Sequence, residues 1–217
     1  MCVYCASSRQ TDGAYYEAAA CLGRALAQRG VAIVYGGGAV GSMGALADAA
    51  LAAGGKVIGV LPRFMYDLEW GHPRLTELRL VGDLHERKRL MIEEVDAIVA
   101  LPGGSGTLEE LMEAITWKRL GLHGHPIVLV NVRSFFDPLV ALLERCIAER
   151  FMDPRHRDMW GSSGRPTWSS TPFAGHRRGD RTRAALRWSS GCGGRSQRDC
   201  ARLRSPATPA RDDLEVS

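Results

Sequence analysis

A short glycine-rich segment holds the residue types most capable of chemistry. Leu101 is followed by Pro-Gly-Gly-Ser-Gly-Thr-Leu-Glu-Glu over residues 102–110, between an apolar run and an amphipathic stretch. Glycines let backbone N–H groups turn towards a ligand, and the N-terminus of a following helix adds partial positive charge. This combination is typical of an anion site, and phosphate is its natural occupant. Glu109 and Glu110 would place carboxylates beside that anion.

The two glutamates also have an explanation without function. With the helix predicted to begin at Thr107, both fall in its first turn, where the helix dipole stabilises a carboxylate by a few tenths to about 1 kcal/mol. The segment taken alone could therefore be a capping arrangement. A second strand, glycine turn and helix favours a ligand site, because residues 31–35 lead into glycines at 36–38, 41 and 44. In a parallel sheet both turns lie at the carboxyl edge, where open α/β folds bind ligands.

A P-loop is excluded because no Gly-Lys-Ser/Thr follows either turn. The turn at residues 102–107 also lacks the full G-x-G-x-x-G spacing and an acidic residue at a strand end, so it is a weak dinucleotide fingerprint.

The elements that would position these residues alternate between strand and helix. Apolar runs predict strands at residues 2–6, 31–35, 56–61, 77–81, 97–101 and 127–130, and helical periodicity predicts helices at residues 14–28, 42–53, 84–95, 107–120 and 137–150. Such alternation indicates a parallel sheet, and right-handed crossovers place helices on both of its faces. The predicted fold is a Rossmann-like α/β domain with a doubly wound parallel sheet in three layers.

The chain changes character at about residue 160. Residues 161–217 hold 11 Arg against five acidic residues, no Lys, and many Ser, Gly and Pro, whereas residues 1–160 hold 17 basic and 19 acidic residues. We therefore predict one folded domain over 1–160 and a disordered tail over 161–217, because the tail has too few aliphatic residues to offset its ordering entropy. A shifted reading frame of a GC-rich gene is an alternative origin for this tail.

Charge and hydropathy limit the classes of partner. Because the basic surplus belongs to the tail, it gives no reason to expect that the domain binds nucleic acid or membrane. No apolar run of about 18 residues and no charged leader occurs, so a cytoplasmic protein is expected. Cys2 and Cys5 have C-x-x-C spacing, but no matching second pair follows in the domain, so buried strand thiols are favoured over metal or redox chemistry.

Three ordered motifs resemble those of the LOG family, the cytokinin riboside 5′-monophosphate phosphoribohydrolases that were long labelled lysine decarboxylases. The motifs are Tyr35-Gly-Gly-Gly-x-x-Gly-x-Met-Gly44, Glu86-Arg87-Lys88 and Pro102-Gly-Gly-x-Gly-Thr-x-x-Glu110, within a similarity that runs from Cys2 to about Trp160. The resemblance implies a Rossmann-like fold, a homodimer, and hydrolysis of an N-glycosidic bond that releases an adenine-type base and ribose 5-phosphate. This scheme needs no metal ion and no organic cofactor.

The resemblance also implies roles for individual residues. Glu110 is the expected catalytic residue, with Arg87 assisting, because a carboxylate can stabilise the cationic ribose of the transition state or orient water. Substrate contacts are expected from these two residues and from Glu69, Lys88, Gly104, Ser105, Gly106, Thr107, Leu108, Glu109 and Thr116.

Simpler explanations exist for some of these residues. The run Glu86-Arg87-Lys88-Arg89 could be a solvated helix face with i,i+4 pairs, and only its spacing to the downstream motif favours a site role for Arg87 and Lys88. Arg89 is expected at the surface. Thr116 could simply hydrogen-bond the backbone of its own helix.

Two other functions stay open. A nucleotide-binding or carrier module would keep the phosphate turn without catalysis. Amino-acid decarboxylation would need a lysine Schiff base with pyridoxal phosphate, but the chain has only Lys56, Lys88 and Lys118, none in a recognisable cofactor motif. The favoured prediction is a phosphoribohydrolase for a small nucleoside monophosphate, with N6-isoprenylated adenine nucleotides as the expected substrates.

Overall fold

The computed structural model describes residues 1–68 and 70–162, which form seven strands and six α-helices. The strands are β1 (Cys2–Tyr4), β2 (Ile33–Tyr35), β3 (Val57–Pro62), β4 (Glu77–Val81), β5 (Ile98–Ala100), β6 (Ile127–Leu129) and β7 (Trp160–Ser162). The helices are α1 (Gly13–Gln28), α2 (Gly41–Ala52), α3 (Arg63–Asp67), α4 (Leu84–Glu93), α5 (Ser105–Arg119) and α6 (Asp137–Ala148). Short 3-10 turns occupy Val132–Ser134 and Pro154–Met159.

One parallel sheet contains all seven strands in the order β4-β3-β2-β1-β5-β6-β7. Cys2 on β1 pairs with Val34 on β2 and with Ile98 on β5. The direction in which the sheet grows therefore reverses between β1 and β5. Such a reversal is a topological switch point, where the connections leave towards opposite faces and open a crevice at the carboxyl ends of the strands.

Two apolar layers cover the faces of this sheet. One contains Leu22 of α1 and Leu46 of α2, and the other contains Met91 of α4, Leu111 of α5 and Leu143 of α6. Strand residues alternate between the layers, as the pleat requires, so Val3 packs in the first layer and Tyr4 in the second. The predicted three-layer, Rossmann-like α/β fold is confirmed.

The six predicted strands and five predicted helices are all present, with ends within two residues of the predicted bounds. Four elements were missed: α3, the 3-10 turns at Val132–Ser134 and Pro154–Met159, and β7. The segment Trp-Gly-Ser of β7 has no alternating pattern, and it becomes a strand because it pairs with β6.

Strand β7 carries the folded domain to Ser162, slightly beyond the predicted boundary at residue 160. The rest of the predicted tail, residues 163–217, lies outside the described residues, so its predicted disorder stays a prediction. Among the helices of the described residues, none has the length and apolar character needed to cross a membrane.

Candidate active site

Both glycine turns lie at the carboxyl edge of the sheet, close to the switch point. One turn follows β2 and leads into α2, and the other follows β5 and leads into α5. Because β2 and β5 are the two neighbours of β1, the turns flank the crevice that the reversal opens. The sequence-based prediction that the turns share one edge is confirmed.

Helix α5 presents an uncapped N-terminus to this crevice. Its N-cap is Gly104, and no side chain in the described residues caps the helix, whereas Asp12 caps α1 and Asp83 caps α4. A Cβ added to Gly104 or Gly106 would meet no atom within 4 Å, so the space above the first turn is open. Free N–H groups at a positive helix end form a site suited to an anion.

Thr107 closes the base of the same turn. It is 5 % exposed, and a Cβ added to Gly103 would come within 2.1 Å of the Thr107 hydroxyl oxygen. The close packing of Thr107 against the backbone therefore requires glycine at position 103.

The helix begins earlier than predicted, and this changes the positions of the two glutamates. Because α5 starts at Ser105 and not at Thr107, no acidic residue lies in its first turn. The expectation that Glu109 and Glu110 stabilise the helix start through the dipole is therefore wrong. Each glutamate instead pairs with a basic residue of α4, so capping does not explain their presence.

Arg87 is buried at the centre of the site and is held mainly by backbone. Its Nε donates to Val60 O at 3.0 Å and its Nη2 donates to Gly36 O at 3.0 Å. The remaining nitrogen, Nη1, lies 3.5 Å from Glu110 Oε1. A Cβ added to Gly36 would come within 2.1 Å of Nη2, so the guanidinium can approach this turn only because residue 36 is glycine.

Glu110 is the buried carboxyl of the site, with 6 % of its surface exposed. Burial raises its pKa to about 7, although the nearby charge of Arg87 acts in the opposite direction. The charges of Glu109 and Glu113 add to the increase, and that of Lys88 opposes it. A carboxyl with such a pKa exchanges protons at neutral pH, which is the property a general acid or base needs.

Lys88, the residue next to Arg87, lies in a different cluster. Its Nζ is ion-paired with Glu109, and it lies 3.0 Å from Glu113 Oε2. Burial lowers the pKa of Lys88, but the two carboxylates outweigh it and the net pKa is raised. Arg89 points to solvent and pairs with Glu93 at 3.6 Å, as expected of a surface residue.

The turn after β2 is held by three donors from outside it. The carbonyls of Gly36, Gly37 and Gly38 accept hydrogen bonds from the Arg87 side chain, the His72 N–H and the Tyr35 hydroxyl, respectively. Gly37 and Gly41 have φ of +79° and +66°, which favours glycine at both positions. Like α5, helix α2 begins without a side-chain cap among the described residues.

The remaining predicted contacts are placed less centrally. Ser105 is exposed, Leu108 packs against the core beneath α5, and Thr116 is half-buried on the same helix, seven residues after Glu109. Glu69 lies outside the described residues. The predicted substrate roles of these residues stay predictions.

Sequence reasoning did not single out two buried polar residues near the site. Tyr4 ends β1, and its hydroxyl is buried with no hydrogen-bond partner among the residues that the structure describes. His72, in the segment before β4, is 5 % exposed. The position of Tyr4 at a strand end is the one signal that could have placed it near the site. No local sequence pattern marks His72.

Cys2 and Cys5 are both buried thiols, and they belong to different apolar layers of the domain. Burial raises the pKa of each thiol. Despite their C-x-x-C spacing, the two thiols therefore do not share a metal or redox site. Both are explained by packing in the core. In the described ranges, no three His, Cys, Asp or Glu side chains are grouped as a metal site requires.

Comparison with known proteins adds family relationships to this geometry. A family model described as "Possible lysine decarboxylase" matches residues 43–167. The probable cytokinin riboside 5′-monophosphate phosphoribohydrolase LOGL9 of Oryza sativa subsp. japonica is 44% identical over 163 residues, which cover 75% of this chain and 72% of the relative. The cytokinin riboside 5′-monophosphate phosphoribohydrolase LOG3 of Arabidopsis thaliana is 40% identical over 159 residues, with 73% and 74% covered.

Two solved structures resemble the fold at lower identity. The molybdenum cofactor binding protein of Rippkaea orientalis has a TM-score of 0.57 and 22% identity, over 75% of this chain and 88% of that one. The molybdenum cofactor carrier protein of Chlamydomonas reinhardtii has a TM-score of 0.56 and 21% identity, over the same shares of the two chains. At these identities the likeness shows the fold alone.

Proposed function

We propose that this chain, which belongs to the LOG family of cytokinin riboside 5′-monophosphate phosphoribohydrolases, hydrolyses the N-glycosidic bond of adenosine 5′-monophosphates. The products are the free adenine-type base and ribose 5-phosphate, and N6-isoprenylated nucleotides are the expected substrates. The observation that carries the proposal is the buried Arg87–Glu110 pair beside the uncapped N-terminus of α5. It combines a carboxyl that titrates near neutral pH with a site for the 5′-phosphate.

The first step of the proposed mechanism is placement of the substrate. The 5′-phosphate accepts hydrogen bonds from the N–H groups at the start of α5, around Gly104 and Gly106. This anchors the ribose within reach of Glu110, which lies about one and a half turns further along the helix. Thr107, at the base of the turn, fixes the backbone that binds the phosphate.

In the chemical step, water replaces the base at the anomeric carbon. The bond from this carbon to the base nitrogen breaks, a bond to the water oxygen forms, and one proton of that water ends on the departing base. Positive charge develops on the ribose, and the Glu110 carboxylate stabilises it, takes the water proton and passes that proton to the departing base. Arg87 keeps the carboxylate oriented, because two backbone carbonyls hold its guanidinium at a fixed position.

A base-release assay tests the function. Purified full-length protein is incubated with an N6-isopentenyl AMP, with AMP, and with the matching nucleosides that lack the phosphate. Free base should appear from the nucleotides and not from the nucleosides, because the nucleosides cannot occupy the helix N-terminus. Binding of AMP without release of any base would favour the nucleotide carrier, and equal cleavage of nucleosides would contradict the phosphate site.

Amino-acid decarboxylation is disfavoured by where the three lysines lie. A Schiff-base lysine must lose its proton to react, but the pKa of Lys88 is raised by its carboxylate partners. Lys56 pairs with Glu77 at 3.7 Å, and Lys118, in the last turn of α5, donates to Met159 O at the edge opposite the glycine turns. A purified protein without a pyridoxal phosphate absorption band, but with base release, would agree with this assignment.

The assembly and location that we propose are a homodimer in the cytoplasm. Support for the dimer comes from large apolar side chains exposed on α5 and just after it, namely Met112, Leu120 and Leu122. Support for the location comes from the buried free thiols Cys2 and Cys5, which suit a reducing compartment. Light scattering should give twice the chain mass, and Leu122→Asp should lower it if this surface is the interface.

A further inference from the structure

His72 is a buried histidine that is not part of the Arg87–Glu110 pair, and both nitrogens of its ring have a polar neighbour. The side chain of His72 is 3 % exposed. Its Nδ1 accepts a hydrogen bond from the Arg74 N–H at 3.2 Å, so the neutral ring carries its proton on Nε2. Nε2 lies 3.3 Å from Asp48 Oδ1 on α2, to which it can donate. The imidazole thus connects the segment before β4 to α2.

The backbone around His72 pairs with the glycine turn that follows β2. The His72 N–H donates to Gly37 O at 2.9 Å, and the Ala39 N–H donates to Trp70 O at 3.2 Å. The two segments form a short antiparallel bridge. Because glycines have wide conformational freedom, a turn of three glycines depends on such outside contacts for one defined shape.

The same turn orients Arg87. Gly36, directly before Gly37, provides the carbonyl that accepts from Arg87 Nη2, and Arg87 Nη1 faces Glu110. A continuous series of contacts therefore runs from Asp48 through His72 and the turn to the Arg87–Glu110 pair. Movement of the peptide between Gly36 and Gly37 would displace one of the two carbonyls that hold the guanidinium.

We propose that His72, held by Asp48, is a positioning residue that keeps the Gly36–Gly38 turn in the shape that orients Arg87 against Glu110. The effect on turnover rests on the proposed phosphoribohydrolase function. His72 acts through the turn and does not touch the substrate. Its contribution is geometric, since a misplacement of about 1 Å at a reacting group can reduce a rate roughly a hundredfold.

Variants of Asp48 test this role without opening the core, because the Asp48 side chain is half exposed. Asp48→Ala removes the acceptor for His72 Nε2–H, whereas Asp48→Asn keeps an acceptor oxygen. We expect Asp48→Ala and His72→Asn to lower kcat/KM roughly tenfold to a hundredfold. Asp48→Asn should stay within about twofold of wild type, since it loses mainly the exposed pair with Arg74. Arg74→Gln, the matched control, removes that same pair and should also stay within about twofold.

The pH profile supplies a readout that a loss of stability alone does not move. The charge of Arg87 lowers the pKa of Glu110, so a guanidinium that moves away lets this pKa rise. In the pH profile of kcat/KM, the limb that reflects ionisation of Glu110 should therefore move to higher pH in Asp48→Ala and not in Arg74→Gln. A loss of activity with an unmoved limb, or an Asp48→Asn variant as impaired as Asp48→Ala, would overturn the proposal.

Hydrogen exchange separates the failure of this proposal from failure of the proposed function. In Asp48→Ala the Ala39 N–H, which donates to Trp70 O, should exchange roughly tenfold faster, as for a bond that opens locally more often. In Arg74→Gln its exchange should not change. Wild-type protein that releases no base would remove the proposed function alone, whereas unchanged exchange in Asp48→Ala would remove the positioning role.

Discussion

Arg87 and Lys88 are neighbours on α4, yet they form two very different clusters. Lys88 lies between Glu109 and Glu113, and the pKa of this lysine is raised by the two carboxylates. Arg87 bonds two backbone carbonyls and meets Glu110 at 3.5 Å. Burial raises the pKa of that glutamate to about 7.

The difference lies in how well each charge is compensated. Two carboxylates close to one ammonium favour the charged form of that ammonium. A single longer contact in a buried place compensates the desolvation of Glu110 only incompletely, so this carboxyl binds a proton near neutral pH. The Lys88 cluster is therefore suited to fix α4 against α5, and the Arg87 cluster to transfer a proton.

The largest test of this contrast exchanges the two adjacent glutamates for amides. Glu110→Gln should lower kcat/KM by about 10²- to 10⁴-fold, the usual contribution of a general acid or base. Glu109→Gln should lower it by less than about tenfold, because its side chain is 57% exposed and its pair with Lys88 is partly solvated. Steady-state base release measures both. Equal losses in the two variants would break the distinction between the clusters.

The second test exchanges the two cations for each other's type. Arg87→Lys should lower kcat/KM about a hundredfold, because a compact ammonium cannot bond Val60 O and Gly36 O and still face Glu110. Lys88→Arg should cost less than about tenfold, since a guanidinium can still pair with two carboxylates. Base release measures the effect of both variants, and their melting temperatures should equal that of wild type, so that a loss of activity is not a loss of folding. A reversed order would place the catalytic cation at Lys88.

The third test measures stability against pH. Between the ordinary glutamate pKa of 4.5 and its raised value of about 7, the folded protein keeps a proton on Glu110 that the unfolded chain releases. Stability is therefore lost as pH rises through this window, and Glu110→Gln avoids that loss. The variant should exceed wild type at pH 8 by up to about 3 kcal/mol in free energy of unfolding, and the gain should vanish near pH 4.

Urea denaturation at the two pH values measures this gain. Glu93→Gln, which removes an exposed i,i+4 pair with Arg89, is the control and should change stability by less than about 0.5 kcal/mol. A Glu110→Gln protein that is no more stable than wild type at pH 8 would mean that the carboxyl of Glu110 is well compensated. The two clusters would then not differ in the way described.

The smallest test concerns the anion site beside the Arg87 cluster. Gly104→Ala adds a methyl group where no atom lies within 4 Å, so folding should be unaffected while the methyl group intrudes on the phosphate. KM for the nucleotide should rise about tenfold, the loss of about one hydrogen bond to a charged group. Gly124→Ala, equally open but in the loop before β6, is the matched control. Equal KM values in the two variants would place the phosphate elsewhere.

Local sequence patterns predicted most of the fold. Buried strands such as residues 97–101 are short apolar runs, and the glycines at 36–38 and 102–106 mark where strands end. Strand β7 could not be predicted because nothing in Trp-Gly-Ser distinguishes it, and its pairing partner β6 lies about 30 residues earlier. Its formation depends on the completed sheet edge and not on local preference.

The sequence by itself determined that two glycine turns share the carboxyl edge of a parallel sheet. It also placed Arg87 and Lys88 on one helix and Glu109 and Glu110 on another. Only the tertiary structure decided that Arg87 faces Glu110 while Lys88 faces Glu109, and that the His72 N–H donates to Gly37 O. The reason is physical: periodicity depends on near neighbours, whereas ion-pair partners, burial and the resulting pKa of Glu110 depend on how α4 and α5 pack together.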